Sequence, residues 1–558
     1  MPVLQFKGKT VVENYHHTLP HHRLEFDRDL SLLAKDKKPS LDGNLIIEGD
    51  NLLALKALLP THAGKVKCIY IDPPYNTGNE GWVYNDNLTQ PQFKEWISRT
   101  VGKEGEDACR HDKWCCMMYP RLTLLKELLS DEGVIMVSIG DDELASLIHL
   151  LDEIFGEQNR AGIFSWKARA KPSNVGKAKY KPQQVVEYIC VYAQTLENVR
   201  FRKIESGEDR VYPHQRPDGR HYRLQTVLKS NRGESTRETM RFEIAGYMPP
   251  EDQRWQGGER FIQDLYDAGS IEFVEGTPFR RYFQDEEPDE HDPLYAFLPP
   301  EWTGTAESGK QELNKILGNQ HGFDTVKPTQ LIQRLIEAVT AEEDLILDSF
   351  AGSATTAHAV LLRNHRMGGS RRFILIQMPW ETLQQRDEDS NLCRVLTRER
   401  VCRVMQGYTV KSTSSRRQVK VPGLGGSFTY ARVGEPLFGE YRVFGEKLPA
   451  FEEIAKYIFY TETSREFPGT TKKQNPVWDK KSGRIGEHAG RSYYLLYLPN
   501  EREDRGLDRE FLETIASQDS NCELVVYCER LAVHLDELRK FFRKHGKRIR
   551  HMLIPFNL

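Results

Sequence analysis

Ile69-Tyr70-Ile71-Asp72-Pro73-Pro74-Tyr75-Asn76-Thr77-Gly78 is the stretch on which the fold turns. Residues 66–71 are apolar and rich in β-branched side chains, and they stop at two prolines. Proline has no N–H and a fixed φ, so a central strand ends there. Upstream, Leu45-Ile46-Ile47 is a short apolar run, followed by Gly49-Asp50-Asn51 and an amphipathic stretch over 52–59. That order predicts strand, turn and helix. Downstream, Leu122, Leu125, Leu128 and Leu129 fall on one helical face, and Asp131-Glu132-Gly133 is expected to break that helix. A third strand is predicted over 134–139 and a helix over 143–155. Strands alternating with helices predict an α/β fold with a parallel sheet covered on both faces.

Beyond residue 160 this rhythm is lost until about 320, where short strands such as 185–192 sit among loops rich in Pro, Gly and charge. It then returns. A helix is predicted over 328–340, a strand over 344–347, a helix from 352 to 362 and a strand over 373–377. Residues 411–418 are basic and Ser/Thr-rich, which predicts a linker. Strands over 493–498 and 523–527 and a helix over 531–545 predict a separate C-terminal domain of α/β or α+β type. Five parts are therefore expected: an N-terminal extension (1–43), a first sheet segment (44–159), an insertion (160–320), a second sheet segment (321–408), and a linker with the C-terminal domain (409–558).

Composition bounds what these parts do. The 558 residues are 39% hydrophobic and 28% charged, enough for several cores. No apolar run approaches the roughly 18–20 residues that cross a bilayer, and the first ten residues lack an apolar signal core. The nine cysteines show no Cys-x-x-Cys spacing, so reduced thiols in a cytoplasmic protein are expected rather than a disulfide framework or a zinc ribbon. His16, His17, His21 and His22 cluster without an acidic or Cys partner, and no metal is expected. Net charge is only −3, yet residues 160–241 hold 18 Lys/Arg against 8 Asp/Glu. A basic segment in an acidic chain is the asymmetry of a module that touches phosphates.

Asp72-Pro73-Pro74-Tyr75 is where chemistry is expected, just past the C-terminal end of a parallel strand. Chance would produce this tetrapeptide in about 3 of 1000 chains of this length, so its placement carries weight. Its residue types suit transfer to an exocyclic amine, whose lone pair is delocalised into the ring. A carboxylate (Asp72) and a backbone carbonyl (Pro73) accept hydrogen bonds from the amino group and localise the lone pair on nitrogen. The prolines fix both acceptors in advance, and Tyr75 offers a flat face to an extruded base. A second stretch, Leu345-Ile346-Leu347-Asp348-Ser349-Phe350-Ala351-Gly352-Ser353-Ala354-Thr355-Thr356, reads as strand, small-residue turn and helix. Such a turn brings backbone and free helical N–H groups close to a ligand.

Together the two motifs resemble the catalytic and cofactor motifs of the amino-methyltransferases that act on DNA. The catalytic motif comes first, an order that resembles the β class, in which the target-recognition region lies between the two. Further stretches are similar to modification subunits of Type III restriction systems: Gly49-Asp50-Asn51-Leu52-Leu53-Ala54-Leu55, Leu128-Leu129-Ser130-Asp131-Glu132-Gly133-Val134-Ile135, Asp152-Glu153-Ile154-Phe155-Gly156, Lys327-Pro328, and Ile554-Pro555-Phe556-Asn557-Leu558. The resemblance covers residues 44–408 well and the C-terminal region more loosely. It implies a Rossmann-like S-adenosylmethionine-dependent sheet with an inserted target-recognition domain, acting on adenine N6 of double-stranded DNA after base flipping. By resemblance Asp72, Pro73, Pro74 and Tyr75 hold the target base. Asp348, Phe350, Gly352, Lys327, Pro328, Gln377, Asp50 and Asn51 then line the S-adenosylmethionine site. A homodimer and a separate restriction subunit follow as partners, since no Walker sequence supplies an ATPase within this chain.

Two departures from the pattern stand out. Ala354 replaces the last Gly of the usual Gly-Ser-Gly turn, which is tolerable if φ there is negative. The strand over 373–377 ends in Gln377-Met378-Pro379 with no carboxylate for ribose hydroxyls, leaving Gln377 or Glu381 as candidates. In the basic insertion, Lys167, Arg169, Lys171, Lys177, Lys179, Lys181, Arg220 and Arg223 are the candidate DNA contacts, interleaved with Trp166, Tyr180, Tyr212 and Tyr222. The alternatives are a cytosine-N4 enzyme, which more often carries Ser at the position of Asp72, and a catalytically weak DNA-recognition subunit with the same fold.

Overall fold

The computed structural model describes residues 3–77, 110–171, 182–205, 211–231, 237–287, 291–319, 321–323, 325–379, 391–411, 418–438, 448–468, 482–497 and 506–554. Its chain forms two compact units, Lys203–Leu294 and the remainder.

The larger unit is built on a ten-stranded sheet. In chain order its strands are β1 (His22–Leu32), β2 (Asn44–Glu48), β3 (Val66–Ile71), β4 (Leu129–Ile139), β5 (Arg160–Trp166), β6 (Glu187–Ala193), β7 (Phe297–Leu298), β8 (Leu345–Asp348), β9 (Arg372–Gln377) and β10 (Phe428–Pro436). Across the sheet they run β1-β10-β2-β9-β8-β3-β4-β6-β5-β7. From β10 to β4 every neighbouring pair is parallel. The central strands read as unbroken apolar runs because both faces are covered: Leu45, Ile46 and Ile47, and likewise Ile69 and Ile71, are fully buried. Helices that cover or flank the sheet among the described residues include α1 (Asn51–His62), α2 (Arg110–Leu128), α3 (Leu144–Phe155), α4 (Ala306–Leu317), α5 (Thr329–Val339) and α6 (Thr355–Met367). Because β2, β3, β4, β8 and β9 are parallel, all their C-terminal ends open on one edge, where the two sequence motifs emerge.

The structure differs from the sequence reading at several points. Helix α2 gives way to β4 directly at Leu129, and Asp131-Glu132-Gly133 lie within the strand at an irregularity in its register with β3. The N-terminal 1–43 is not an appendage, since Val12, Tyr15 and Leu19 enter the main core and β1 pairs with β10. The expected insertion 160–320 is narrower as a compact unit. Its flanks supply β5, β6 and β7 to the main sheet, and the separate unit is Lys203–Leu294. That unit holds a four-stranded antiparallel sheet in the order Ile271–Val274, Thr277–Phe283, His221–Thr226, His214–Gln215. Trp255, Ile262, Leu228 and Ile244 form its core. The expected boundary at 409 is crossed as well. Gly407–Lys411 and Gln418–Pro422 pair as antiparallel strands, and β10 then returns to the main sheet between β1 and β2.

After β10 comes a second, four-stranded sheet, Arg484–His488, Arg491–Leu496, Glu523–Cys528 and Arg548–Leu553, with the last three parallel. Alternate residues sort to opposite faces, as strand geometry requires. Tyr493 and Leu495 pack with helix Phe451–Thr463, and Tyr494 and Leu496 pack with helices Arg509–Gln518 and Leu535–His545. Among the described residues no helix is long and apolar enough to cross a membrane, and the eight described cysteines are free, seven of them buried.

Candidate active site

Strands β3 and β8 are neighbours, with Cys68 opposite Ile346 and Ile69 opposite Leu347. This register brings Asp72, at the tip of β3, beside the turn that follows Asp348, although 275 residues separate them in the chain.

The loop after β3 is braced from all sides. Trp114 of α2 donates its indole N–H to the Pro74 carbonyl at 2.8 Å. The Pro73 carbonyl accepts no hydrogen bond among the described residues. Asn76 takes a left-handed conformation (φ 57°), which Asn tolerates better than most residues. It donates to the Arg110 carbonyl and to the buried carboxylate of Glu143, which His111 also contacts. Tyr75 lies against Gly140, where an added Cβ would meet its Cδ2 at 3.1 Å. Its hydroxyl donates to Glu187 Oε2 at 2.9 Å. Burial, reinforced by Asp72 and Glu187, pushes the Tyr75 phenol well above its usual range, so it stays protonated and a donor.

Asp72 receives Lys327, whose Nζ lies 2.8 and 2.7 Å from the two carboxylate oxygens. The same nitrogen lies 3.3 Å from Glu187 Oε2. It also stands 5.0 Å from the centre of the Tyr75 ring and 5.8 Å from that of Trp166. Lys327 is only 6% exposed. Burial disfavours its charge, but Asp72 and Glu187 outweigh that and raise its pKa above the ordinary lysine value. A buried ammonium is tolerable only with such partners.

The turn after β8 is the other half. The Asp348 carboxylate accepts from the Phe350 N–H at 3.0 Å and from the Thr356 hydroxyl at 2.5 Å, tying the first turn of α6 to the strand. Its pKa is raised to about 7: burial pushes it up, the two hydrogen bonds pull it down, and Asp72 adds to the rise. Gly352 has φ 48° and lies 3.3 Å, measured from a built Cβ, from the Phe323 ring. The Gln377 amide spends both its ends locally, accepting from the Gly352 N–H at 2.7 Å and donating to the Met378 carbonyl at 3.2 Å. It therefore braces the turn. Glu381 lies outside the described residues. The tolerance anticipated for Ala354 rested on a negative φ, but its φ is +62° with the methyl fully buried, so the residue that replaces Gly carries the left-handed strain itself.

Asp50 and Asn51 sit behind this turn. Asp50 caps α1 through the Leu52 N–H at 2.8 Å, and Asn51 donates to the Ser349 carbonyl at 2.9 Å. The fully buried Arg121 reaches both, 2.5 Å from Asn51 Oδ1 and 3.5 Å from Asp50 Oδ2. Pro328 is the N-cap of α5 and seats Lys327 at the site. On the other side Arg400 holds the Ser353 carbonyl, the Thr355 hydroxyl, Thr329 and Glu312. The turn fits a compact polar ligand. It offers a left-handed glycine with an aromatic wall, and a buried Ser349 hydroxyl with no partner among the described residues.

The basic candidates fare unevenly. Lys167 is half-buried, and Arg169 and Lys171 are exposed beyond β5. Lys177, Lys179 and Lys181, with Tyr180, lie outside the described residues. In the smaller unit Arg220 is paired with Asp285 and Glu286 at 2.8 and 2.6 Å and lies over the Phe283 ring, and Arg223 is paired with Glu287 at 2.7 Å. Neither is a free cation. Trp166, grouped with the DNA contacts by sequence, is fully buried and donates to Thr303 Oγ1 at 3.1 Å. Sequence reasoning missed Glu187, Trp114 and Glu143. Glu187 opens a strand of ordinary composition, and only the fold brings it to Lys327 and Tyr75.

Comparison with known proteins agrees with this geometry. The family described as DNA methylase (N6_N4_Mtase) matches residues 66–386. The Type III restriction-modification enzyme StyLTI Mod subunit of Salmonella typhimurium is 33% identical over 371 residues, covering 62% of this chain and 54% of that protein. The EcoPI Mod subunit of Escherichia phage P1 is 31% identical, covering 62% and 60%. For the EcoP15I Mod subunit of Escherichia coli the values are 28%, 68% and 67%. The matches thus span about half to two thirds of these relatives' length. The family match runs from the first residue of β3 to beyond the end of β9, more than half of the chain, and takes in both halves of the site: the chain belongs to the N6_N4_Mtase family of DNA methylases.

Proposed function

We propose that this protein methylates adenine N6 in duplex DNA with S-adenosylmethionine, as a modification subunit of the Type III kind. The observation that carries the reading is the meeting of the Asp72-Pro73 loop with the braced turn after Asp348 on one sheet edge. When bound, S-adenosylmethionine supplies an electrophilic methyl group, so no covalent enzyme intermediate is needed. The work left to the chain is alignment. Asp72 and the Pro73 carbonyl accept the two N–H bonds of the amino group and concentrate its lone pair on nitrogen. Tyr75, fixed by Glu187 and Gly140, gives the ring its stacking face. With the methyl group transferred, the nitrogen would shed its spare proton to Asp72, from which water takes it. Extruding the base costs a few kcal/mol, met by these contacts.

Asp at position 72 favours adenine over cytosine, and the intact loop favours an active enzyme over a recognition-only subunit. The named relatives are Mod subunits, which supports duplex DNA as substrate and a separate restriction subunit as partner; a homodimer is the expected assembly. The segment 203–294 and the exposed Arg169 and Lys171 are the proposed DNA-contacting parts. The test is transfer of tritiated methyl from S-adenosylmethionine to genomic DNA, with nucleoside mass spectrometry and an Asp72→Ala control. N6-methyladenine that disappears in the variant supports the reading. N4-methylcytosine moves it to the cytosine enzymes, and DNA binding without incorporation moves it to a recognition subunit. Methylome sequencing of cells expressing the protein returns the target sequence.

A further inference from the structure

The Lys327 ammonium occupies the two features an extruded base requires. It donates hydrogen bonds to both oxygens of Asp72, and it stands over the Tyr75 ring. A target amino group has to take the Asp72 acceptor, and its ring has to take the Tyr75 face. The ammonium is therefore a stand-in for the base, and the two compete for one place.

It has no easy way out to solvent, being 6% exposed and walled by Trp166, which is fully buried. Left without a partner, a buried ammonium is strongly disfavoured. Glu187 is the one other carboxylate that the described residues place on this nitrogen, already 3.3 Å away. Lysine carries its charge on a flexible four-carbon stem, so a small swing suffices. The Tyr75 hydroxyl holds Glu187 in place at 2.9 Å.

We propose that Glu187 is a positioning residue that takes over the Lys327 ammonium when the target amino group displaces it from Asp72. The inference rests on the methyltransferase reading above. It assigns the start of β6 a part in the reaction that no sequence motif marks. While the ammonium sits on Asp72, the acceptor is occupied and the carboxylate's charge is offset. Once it sits on Glu187, Asp72 presents an oxygen to one incoming N–H, beside the Pro73 carbonyl that takes the other. Glu187 moves no proton and touches no reacting atom. It acts through Lys327.

The test places 2-aminopurine beside the target adenine of the duplex returned by the methylome, where extrusion of the adenine unstacks and brightens it, and reads its fluorescence with single-turnover methylation on the unmodified duplex. Glu187→Gln keeps an acceptor for Tyr75 but not the charge that holds the ammonium. The flipped-base signal and the single-turnover rate should both fall about tenfold to a hundredfold, the scale of one hydrogen bond to a charged group, while S-adenosylmethionine affinity stays within about twofold. The double variant Lys327→Met/Glu187→Gln removes the competitor and should recover the flipped-base signal to at least the wild-type level. A merely structural role for Glu187 predicts the reverse, since the second substitution would then add damage. A wild-type signal in Glu187→Gln, or a double variant no better than the single, overturns the proposal. Wild-type protein with neither methyl transfer nor a flipped-base signal overturns the parent reading and this one together, and is recognised before any variant is compared.

Discussion

Asp348→Asn should remove the pH dependence that one buried carboxylate imposes on the fold. Asp348 is 3% exposed, and burial, first among the causes, lifts its pKa from 3.8 to about 7. A carboxyl group whose folded pKa is raised binds more protons in the native state than in the unfolded one. Stability therefore falls as pH rises between those two values, by about 1.4 kcal/mol per unit. Across some three units the loss approaches about 4 kcal/mol, complete above pH 7. Asparagine does not titrate. It keeps an oxygen for the Phe350 N–H but loses the Thr356 hydroxyl as donor to a carboxylate, a pH-independent cost of about 1–3 kcal/mol. At pH 5 wild type has lost about 1.6 kcal/mol, close to the variant's own cost, so the variant should gain about 2–3 kcal/mol on wild type between pH 5 and pH 8 and be the more stable at pH 8. Urea unfolding at pH 5, 6, 7 and 8, followed by fluorescence, gives the difference between the two proteins at each pH and cancels the titration of every other group. A difference that is flat with pH, or that grows in wild type's favour as pH rises, refutes the reasoning.

Ala354→Gly should stabilise the protein slightly. Relief of a left-handed alanine is worth about 1–2 kcal/mol and loss of the buried methyl costs about 0.8 kcal/mol, leaving about 0.2–1.2 kcal/mol; a lower midpoint in the same urea experiment contradicts it. Gly140→Ala puts a methyl 3.1 Å from the Tyr75 ring and should lower the single-turnover rate about threefold to tenfold through misplacement of the stacking face, with an unchanged melting temperature as the control. Arg400→Met strips a fully buried guanidinium from Ser353, Thr355, Thr329 and Glu312 and should cost about 3–5 kcal/mol; thermal unfolding showing a loss under about 1 kcal/mol counts against it.

What the sequence revealed and what it hid divide along physical lines. The loop after β3 was legible because its chemistry needs consecutive residues, and two prolines mark a strand end unambiguously. The turn after β8 was legible as strand, small residues and helix. The sign of φ at Ala354 was not, because alanine occupies either basin and the surrounding bonds decide. The brace from Gln377 to Gly352 across the sheet edge was hidden because the chain shows only sequence neighbours. Glu187 was invisible for the same reason. Strand β1 was read as part of an extension because an edge strand with charges on its open face has no apolar run to betray it. The expected boundaries at 160 and 409 came from loss of rhythm, but β5, β6 and β10 keep their place in the main sheet despite it.

Strand β10 also sets a schedule. Thr429, Tyr430 and Ala431 fill the space between β1 and β2, both of which are made within the first 48 residues. A ribosome adding about 5–20 residues per second reaches β10 some 20–80 seconds after finishing β2. Through that interval β2 has an open edge of N–H and C=O groups, and the floor beneath Gly49 and Asp50 is incomplete. The catalytic loop and the cofactor turn can both be finished before the sheet that carries them is closed, so a chain cut at residue 409 would retain every motif of the site and lose the strand that closes its sheet.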